Sequence, residues 1–124
     1  MSVILIIEDN ENNMMLVRDV LQFKGYETLE ATTGAEGVRL AIEREPDLIL
    51  MDIQLPDIDG LTALAQIRAD AAVRHVPVLA VSASVMPDDQ QRIAASGFDA
   101  FITKPINVKG FVATVERFIG AGKD

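Results

Sequence analysis

The sequence predicts an α/β domain: five strand–helix units, (βα)5, forming a parallel sheet between two layers of helices. Three observations predict it. First, the apolar runs Val3-Ile4-Leu5-Ile6-Ile7 and Leu48-Ile49-Leu50-Met51 are continuous rather than alternating, the pattern of strands buried on both faces. Second, each run is followed by a stretch with apolar residues at helical spacing. Third, the joining segments are a few residues long, and strict strand–helix alternation requires right-handed crossovers that cover both faces of the sheet.

The elements follow in order. After the strand Val3 to Ile7, a helix spans Glu11 to Lys24, with Met14, Val17, Val20, Leu21 and Phe23 at helical spacing. Asn10 is placed to cap it and Gly25 to stop it. Tyr26 to Ala31 is a strand, and Gly34 to Glu45 a helix ended by Pro46. Leu48 to Met51 is a buried strand, followed by a short helix over Leu61 to Ala69 after Gly60. Pro77 introduces the strand Val78 to Val81; the helix Asp88 to Ser96 stops at Gly97. Ala100 to Thr103 is a short strand and Val108 to Ile119 the last helix. Met14, Met15 and Met51 are expected in the core, and Val85 and Met86 in a partly exposed loop. His75, the only histidine, belongs to the loop before the fourth strand.

A chain of 124 residues supports one domain, expected to span the whole of residues 1–124 with no further module. It is long enough to bury roughly two-thirds of its unfolded surface. With no cysteine there is no disulfide and no thiolate metal site. Eleven Lys and Arg against nineteen Asp and Glu give a formal charge of −8. Such a body repels nucleic acid and anionic membrane surfaces. No apolar run approaches the ~20 residues that span a bilayer, and no basic region precedes the first one. The expectation is a soluble, cytoplasmic, acidic domain.

Ligands of an open α/β sheet bind beyond the carboxyl ends of its strands. Glu8 and Asp9 follow the first strand, Asp52 the third, Ser82 the fourth, and Lys104 with Pro105 the fifth. Three carboxylates, a hydroxyl and an ammonium therefore converge on one rim. At ~5 Å and an effective dielectric near 20, each carboxylate pair repels by roughly 3 kcal/mol. Three together need a cation, or one must take up a proton. Oxygen donors without His or Cys favour Mg²⁺ or a similar ion that keeps several waters.

Glu8-Asp9, Asp52 at the end of its apolar strand, Pro56 with Gly60 in the following loop, Ser82-Ala83 and Lys104-Pro105 together resemble the receiver domains of bacterial response regulators. The resemblance covers essentially the whole chain. The segment Leu48 to Pro56 is most similar to single-domain receivers of the DivK kind, within the CheY-like superfamily. It implies a flavodoxin-like, CheY-like three-layer sandwich with strand order 2-1-3-4-5. It also implies a switch that catalyses only its own phosphorylation and dephosphorylation. Asp52 would take a phosphoryl group from a phosphohistidine. Asp9, Asp52 and the backbone carbonyl of Gln54 would bind Mg²⁺, with Mn²⁺ able to substitute and Glu8 acting through a bound water.

Under the same resemblance Lys104 would pair with Asp52 and then with phosphoryl oxygens, and Ser82 would hydrogen-bond one of them. Serine stands where the family often has threonine, and the hydroxyl is kept. Phe101 would be the aromatic switch, and Val85 and Met86 would form part of the partner surface around helix four, strand five and helix five. Gln54 and Ser84 would tune the lifetime of the phosphoryl group, and the Lys104–Pro105 bond would be cis. The implied partners are a histidine kinase or a histidine phosphotransfer protein and a downstream protein effector, with neither nucleic acid nor membrane. A monomer is expected, with dimerisation open to the phosphorylated form. The chemistry is coherent without the family: a carboxylate is a weak but competent nucleophile, and neutralising the phosphoryl oxygens is most of what the transfer asks of a protein.

Other classes fit less well. A Toprim-like, Mg²⁺-dependent enzyme acting on nucleic acid would use Glu8 with Asp57-Ile58-Asp59, but Asp57 lies well beyond the strand end and the net charge opposes a polyanionic substrate. A haloacid-dehalogenase-like phosphatase would need a second acid where Gln54 stands. A flavodoxin would need a phosphate loop where Glu8-Asp9-Asn10-Glu11 would repel a flavin phosphate.

Overall fold

The computed structural model describes residues 2–83 and 87–120. Among these the alternation runs β1 (Val3–Ile7), α1 (Glu11–Phe23), β2 (Glu27–Ala31), α2 (Gly34–Arg44), β3 (Leu48–Asp52), α3 (Gly60–Ala69), β4 (Val78–Ser82), α4 (Pro87–Ala95), β5 (Ala100–Thr103) and α5 (Val108–Ile119). The strands pair in parallel in the order β2-β1-β3-β4-β5. Both the architecture and the order are as expected.

Side chains alternate across the sheet and divide the core in two. Ile4, Ile6, Leu48, Leu50, Leu79 and Val81 pack beneath α1 and α5. Leu5, Ile7, Ile49, Met51, Val78 and Ala80 pack beneath α2, α3 and α4. β3 and β4, with a neighbour on each side, are buried at every position. The edge strand β2 exposes Glu27 and Glu30. The run of apolar residues therefore reports centrality in the sheet as well as strand identity.

Two strands run one residue further than their apolar runs. β3 ends at Asp52, which lies beside Val81, and β4 ends at Ser82, beside Thr103. Both polar residues are thus fixed in the ladder rather than carried on a loop. α1 and α2 each stop one residue early. Lys24 caps α1, and Glu45 adopts a left-handed conformation (φ 44°), as the residue before Pro46 avoids the helical region. α3 begins at Gly60, and α4 is shifted one residue towards the N-terminus. Asn10, Thr33, Asp59 and Asn107 each accept a backbone N–H from the first turn of the following helix.

Met14 and Met51 are buried as expected, but Met15 is 46 % exposed. The buried stripe of α1 is Met14, Val17 and Leu21, and a residue next to a stripe member is rotated by about 100° away from it. Phe23, at the end of the same helix, is also exposed. His75 lies exposed in the loop before β4. Beneath that end of the sheet, Arg68 donates to the carbonyls of Arg74 (2.8 Å), Val76 (2.7 Å) and Gly97 (3.1 Å) and to the Asp99 carboxylate (2.8 Å). Asp99 in turn accepts the Val78 N–H that opens β4. Among the described residues no helix is long and apolar enough to cross a membrane.

Gly60 joins the fold to the rim. Its N–H donates to the Ile53 carbonyl at 2.8 Å, and a Cβ there would meet Ile53 Cα at 2.8 Å and the Asp52 carbonyl oxygen at 2.9 Å. Backbone cannot yield as a side-chain tip can. Gly60→Ala is expected to cost about 1–3 kcal/mol, the usual range for overpacking, measured as a lower urea midpoint with an unchanged slope.

Candidate functional site

Because the central strands are in register, the carboxyl ends of β1, β3, β4 and β5 come level on one edge of the sheet. Among the described residues the buried charged side chains are Glu8 and Asp52, and both lie there. A buried charge is tolerated when it is paired and hydrogen-bonded. Lys104 supplies the pairing: its Nζ lies 2.8 Å from Asp52 Oδ2 and 2.9 Å from Glu8 Oε1. The free ends of both carboxylates are also held. Asn10 N–H donates to Glu8 Oε2 (3.1 Å), and Gln54 N–H donates to Asp52 Oδ1 (2.9 Å).

The backbone explains how one ammonium reaches both acids. Lys104 N–H donates to the Ser82 carbonyl at 2.9 Å, extending the pairing of β4 with β5 by one step. The Lys104–Pro105 bond is cis, as the resemblance implies. Asp9 is exposed at the rim. One carboxylate oxygen from each of Glu8, Asp9 and Asp52 lies within 4.8 Å of the others.

Three acids face one ammonium, and Glu8 is the acid whose proton affinity rises. The Glu8 carboxyl is pushed up to about 7 by burial and by its hydrogen bond with Asp52, against the opposing pull of Lys104 and the Asn10 N–H. Burial pulls the Lys104 ammonium down, but its bonds to Asp52 and Glu8 outweigh that and hold it above the ordinary lysine value. All the convergent donors are hard oxygens, several are acidic, and one side of the cluster is open at Asp9. That set fits a divalent cation of the Mg²⁺ kind.

Ser82 is buried at the end of β4 and borders a cleft shared with Gln54, Asp59 and Arg92. Gln54 is exposed. Phe101 lies on β5 opposite Ala80, half-buried against the core beneath α2, α3 and α4. Ser84, Val85 and Met86 lie outside the described residues. The structure thus brings Glu8, Asp9, Asp52 and Lys104 together, with Ser82 and Gln54 bordering them and Phe101 on the neighbouring strand.

Asp57 and Asp59, the acids required by the Toprim-like alternative, are engaged elsewhere. Asp59 caps α3 through Thr62 N–H at 2.7 Å, and Asp57 accepts Gly34 N–H (2.7 Å) and Ala35 N–H (2.9 Å) at the start of α2. The backbone N–H groups of Ala35 and Gly34 hold the Asp57 carboxyl below the ordinary aspartate value. The sequence offered these acids as the Asp-x-Asp pair of that alternative; the structure makes one a helix cap and the other a tie from the loop to α2.

The raised Glu8 value has a consequence for stability. Between about 4.5 and about 7 the folded protein holds this proton more tightly than the unfolded chain. Glu8 therefore lowers stability progressively as pH rises through that window, and costs nothing below it. Glu8→Gln is expected to flatten this part of the stability–pH curve of the metal-free protein, measured by urea unfolding. Parallel curves for the two proteins would contradict the assignment.

Comparison with known proteins gives the family. Residues 4–116 match the family model described as the response regulator receiver domain. The polar-differentiation response regulator DivK of Brucella ovis is 46 % identical over 117 residues, covering 94 % of this chain and 95 % of the relative. The receiver domain of a sensor histidine kinase from Pseudomonas aeruginosa PAO1, solved with a magnesium ion coordinated in its active-site cleft, is 32 % identical with a TM-score of 0.89, covering 97 % of this chain and 98 % of that one. Chemotaxis protein CheY4 of Vibrio cholerae is 25 % identical with a TM-score of 0.89, covering 95 % and 98 %. With its acids and its lysine gathered at the strand ends of this fold, the chain belongs to the response regulator receiver family, the phosphorylation-driven switches of two-component signalling.

Proposed function

We propose that Asp52 is the phosphoacceptor, and that the chain takes its phosphoryl group from a phosphohistidine of a histidine kinase or a histidine phosphotransfer protein. The observation that carries this reading is the half-buried Lys104 ammonium held 2.8 Å from the buried Asp52 carboxylate at the end of β3. In the transfer, a carboxylate oxygen of Asp52 forms a bond to phosphorus as the phosphorus–nitrogen bond breaks. The imidazole leaves with the electron pair and ends protonated. Asp9, Asp52 and the Gln54 backbone carbonyl would hold Mg²⁺, or Mn²⁺ in its place, with Glu8 reached through a water. When bound, the ion neutralises charge on the phosphoryl oxygens. Lys104, paired with Asp52, would do the same and stay in place after the transfer. Ser82 donates its hydroxyl to a phosphoryl oxygen.

No other reaction is assigned to the chain: it catalyses its own phosphorylation and the hydrolysis that reverses it. Gln54, exposed two residues beyond Asp52, and Ser84 set how readily water reaches the phosphoryl group. The output is protein binding. Ser82 moving towards the phosphoryl group draws the end of β4 with it, and Phe101 turns inward on the neighbouring strand; Val85 and Met86 belong to the surface that the partner reads. Moving the active state from one to ninety-nine per cent takes about 5.5 kcal/mol of differential stabilisation. Charge-assisted bonds from Lys104 to the phosphoryl oxygens supply part of this. The reading places the protein in the cytoplasm, a monomer until phosphorylated, with a protein effector downstream.

Two outcomes test it. With acetyl phosphate and Mg²⁺, the native protein is expected to gain one phosphate by intact mass, labile to acid and base, and Asp52→Asn none. A full adduct on that variant would overturn the assignment. Excess chelator is expected to stop the reaction; labelling at an unchanged rate would remove the metal from the account.

A further inference from the structure

The first turn of α2 leaves backbone N–H groups without helical partners, as any helix does. The helical ladder starts at Gly37, whose N–H donates to the Thr33 carbonyl at 3.0 Å, and the Glu36 N–H before it donates to Thr33 Oγ1 at 3.1 Å. Gly34 and Ala35 instead donate to the two oxygens of Asp57, 23 and 22 residues further along the chain. Thr33 already caps the helix locally, so helix capping alone does not call for Asp57.

The segment that carries Asp57, residues 53–59, also carries Gln54. Its two ends are tied to the elements it joins. Gln54 N–H donates to Asp52 Oδ1 (2.9 Å), Gly60 N–H to the Ile53 carbonyl (2.8 Å), and Thr62 N–H to Asp59 Oδ1 (2.7 Å). The middle is tied by Asp57 to α2, with Ile58 packed on the core beside it. The approach is close. A Cβ on Gly34 would lie 2.5 Å from Ile58 Cγ1 and 3.3 Å from Asp57 Oδ1, so glycine is what lets the loop reach the helix.

We infer that Asp57 is a positioning residue for the cation site: by clamping the middle of the 53–59 loop to α2, it fixes the backbone of Gln54 beside Asp52. Asp57 touches neither the cation nor the phosphoryl group; it acts through the loop backbone. The inference rests on the receiver reading only in taking the Gln54 carbonyl as a ligand. The clamp is self-contained, joining two backbone donors on one element to one bidentate side chain on another.

The test compares Asp57→Ala with Thr33→Ala. Both remove acceptors from the same helix end, but only the first releases the loop. Mg²⁺ affinity is measured by NMR titration, together with hydrogen exchange of the Gln54 amide in the metal-free proteins. Changes to groups supporting a metal ligand typically cost 10–100-fold in affinity, and for a clamp acting through backbone we expect about tenfold weaker binding in Asp57→Ala. Thr33→Ala is expected to lose thermal stability and keep the native affinity. Asp57→Asn, retaining one carbonyl oxygen as acceptor, should fall between, and it serves if the alanine variant fails to fold. Native affinity and native Gln54 exchange in the Asp57 variants, or equal weakening in Thr33→Ala, would overturn the inference. Absence of Mg²⁺ binding by the native protein would instead refute the metal reading, and Gln54 exchange would still decide the clamp.

Discussion

The structure turns on a charge imbalance. Glu8, Asp9 and Asp52 converge within 4.8 Å, and Lys104 is the ammonium set among them. A cluster of this kind is unfavourable unless something positive joins it, and the fold holds it in place because each acid sits on a strand end or just past one. The strands are pinned by apolar contacts on both faces, so the carboxylates cannot move apart. Burial, and after it the hydrogen bond with Asp52, push the Glu8 carboxyl up to about 7, so it is the acid of the cluster poised to take a proton near neutral pH. A cation, or a cation with a phosphoryl group, changes that balance. The site is therefore built to respond to what binds it.

This explains why the polar ends of β3 and β4 matter more than their apolar bodies. Asp52 and Ser82 are in the ladder, opposite Val81 and Thr103. A side chain on a strand is held more firmly than one on a loop. Lys104 is aimed by a backbone bond to Ser82, so Asp52, its cationic partner and the Ser82 hydroxyl share one rigid edge. Phe101 lies on the same pair of strands, opposite Ala80, two residues before Thr103, which faces Ser82.

The sequence was legible where the signal is local or compositional. Continuous apolar runs gave the central strands, and polar residues directly after those runs gave the rim. The strand ends were placed one residue short because Asp52 and Ser82 look like loop residues and are held in the sheet by neighbours distant in sequence. Met15 was assigned to the core from its type, although the helical period turns it outward beside Met14. The structural ties of Asp57 and most of those of Arg68 were illegible for a common reason. They are made to backbone groups, 22 residues away in one case and on two separate loops in the other, and backbone groups leave no mark in a sequence.

The central claim is that burial and the neighbouring Asp52 leave Glu8 poised to hold a proton near neutral pH, and that a divalent cation at the rim would displace it. Titration calorimetry of Mg²⁺ just below neutral pH, in buffers of differing ionisation enthalpy, measures that proton directly. The account predicts that binding releases a substantial fraction of one proton and that this release disappears in Glu8→Gln. Binding with no proton release in the native protein would contradict it.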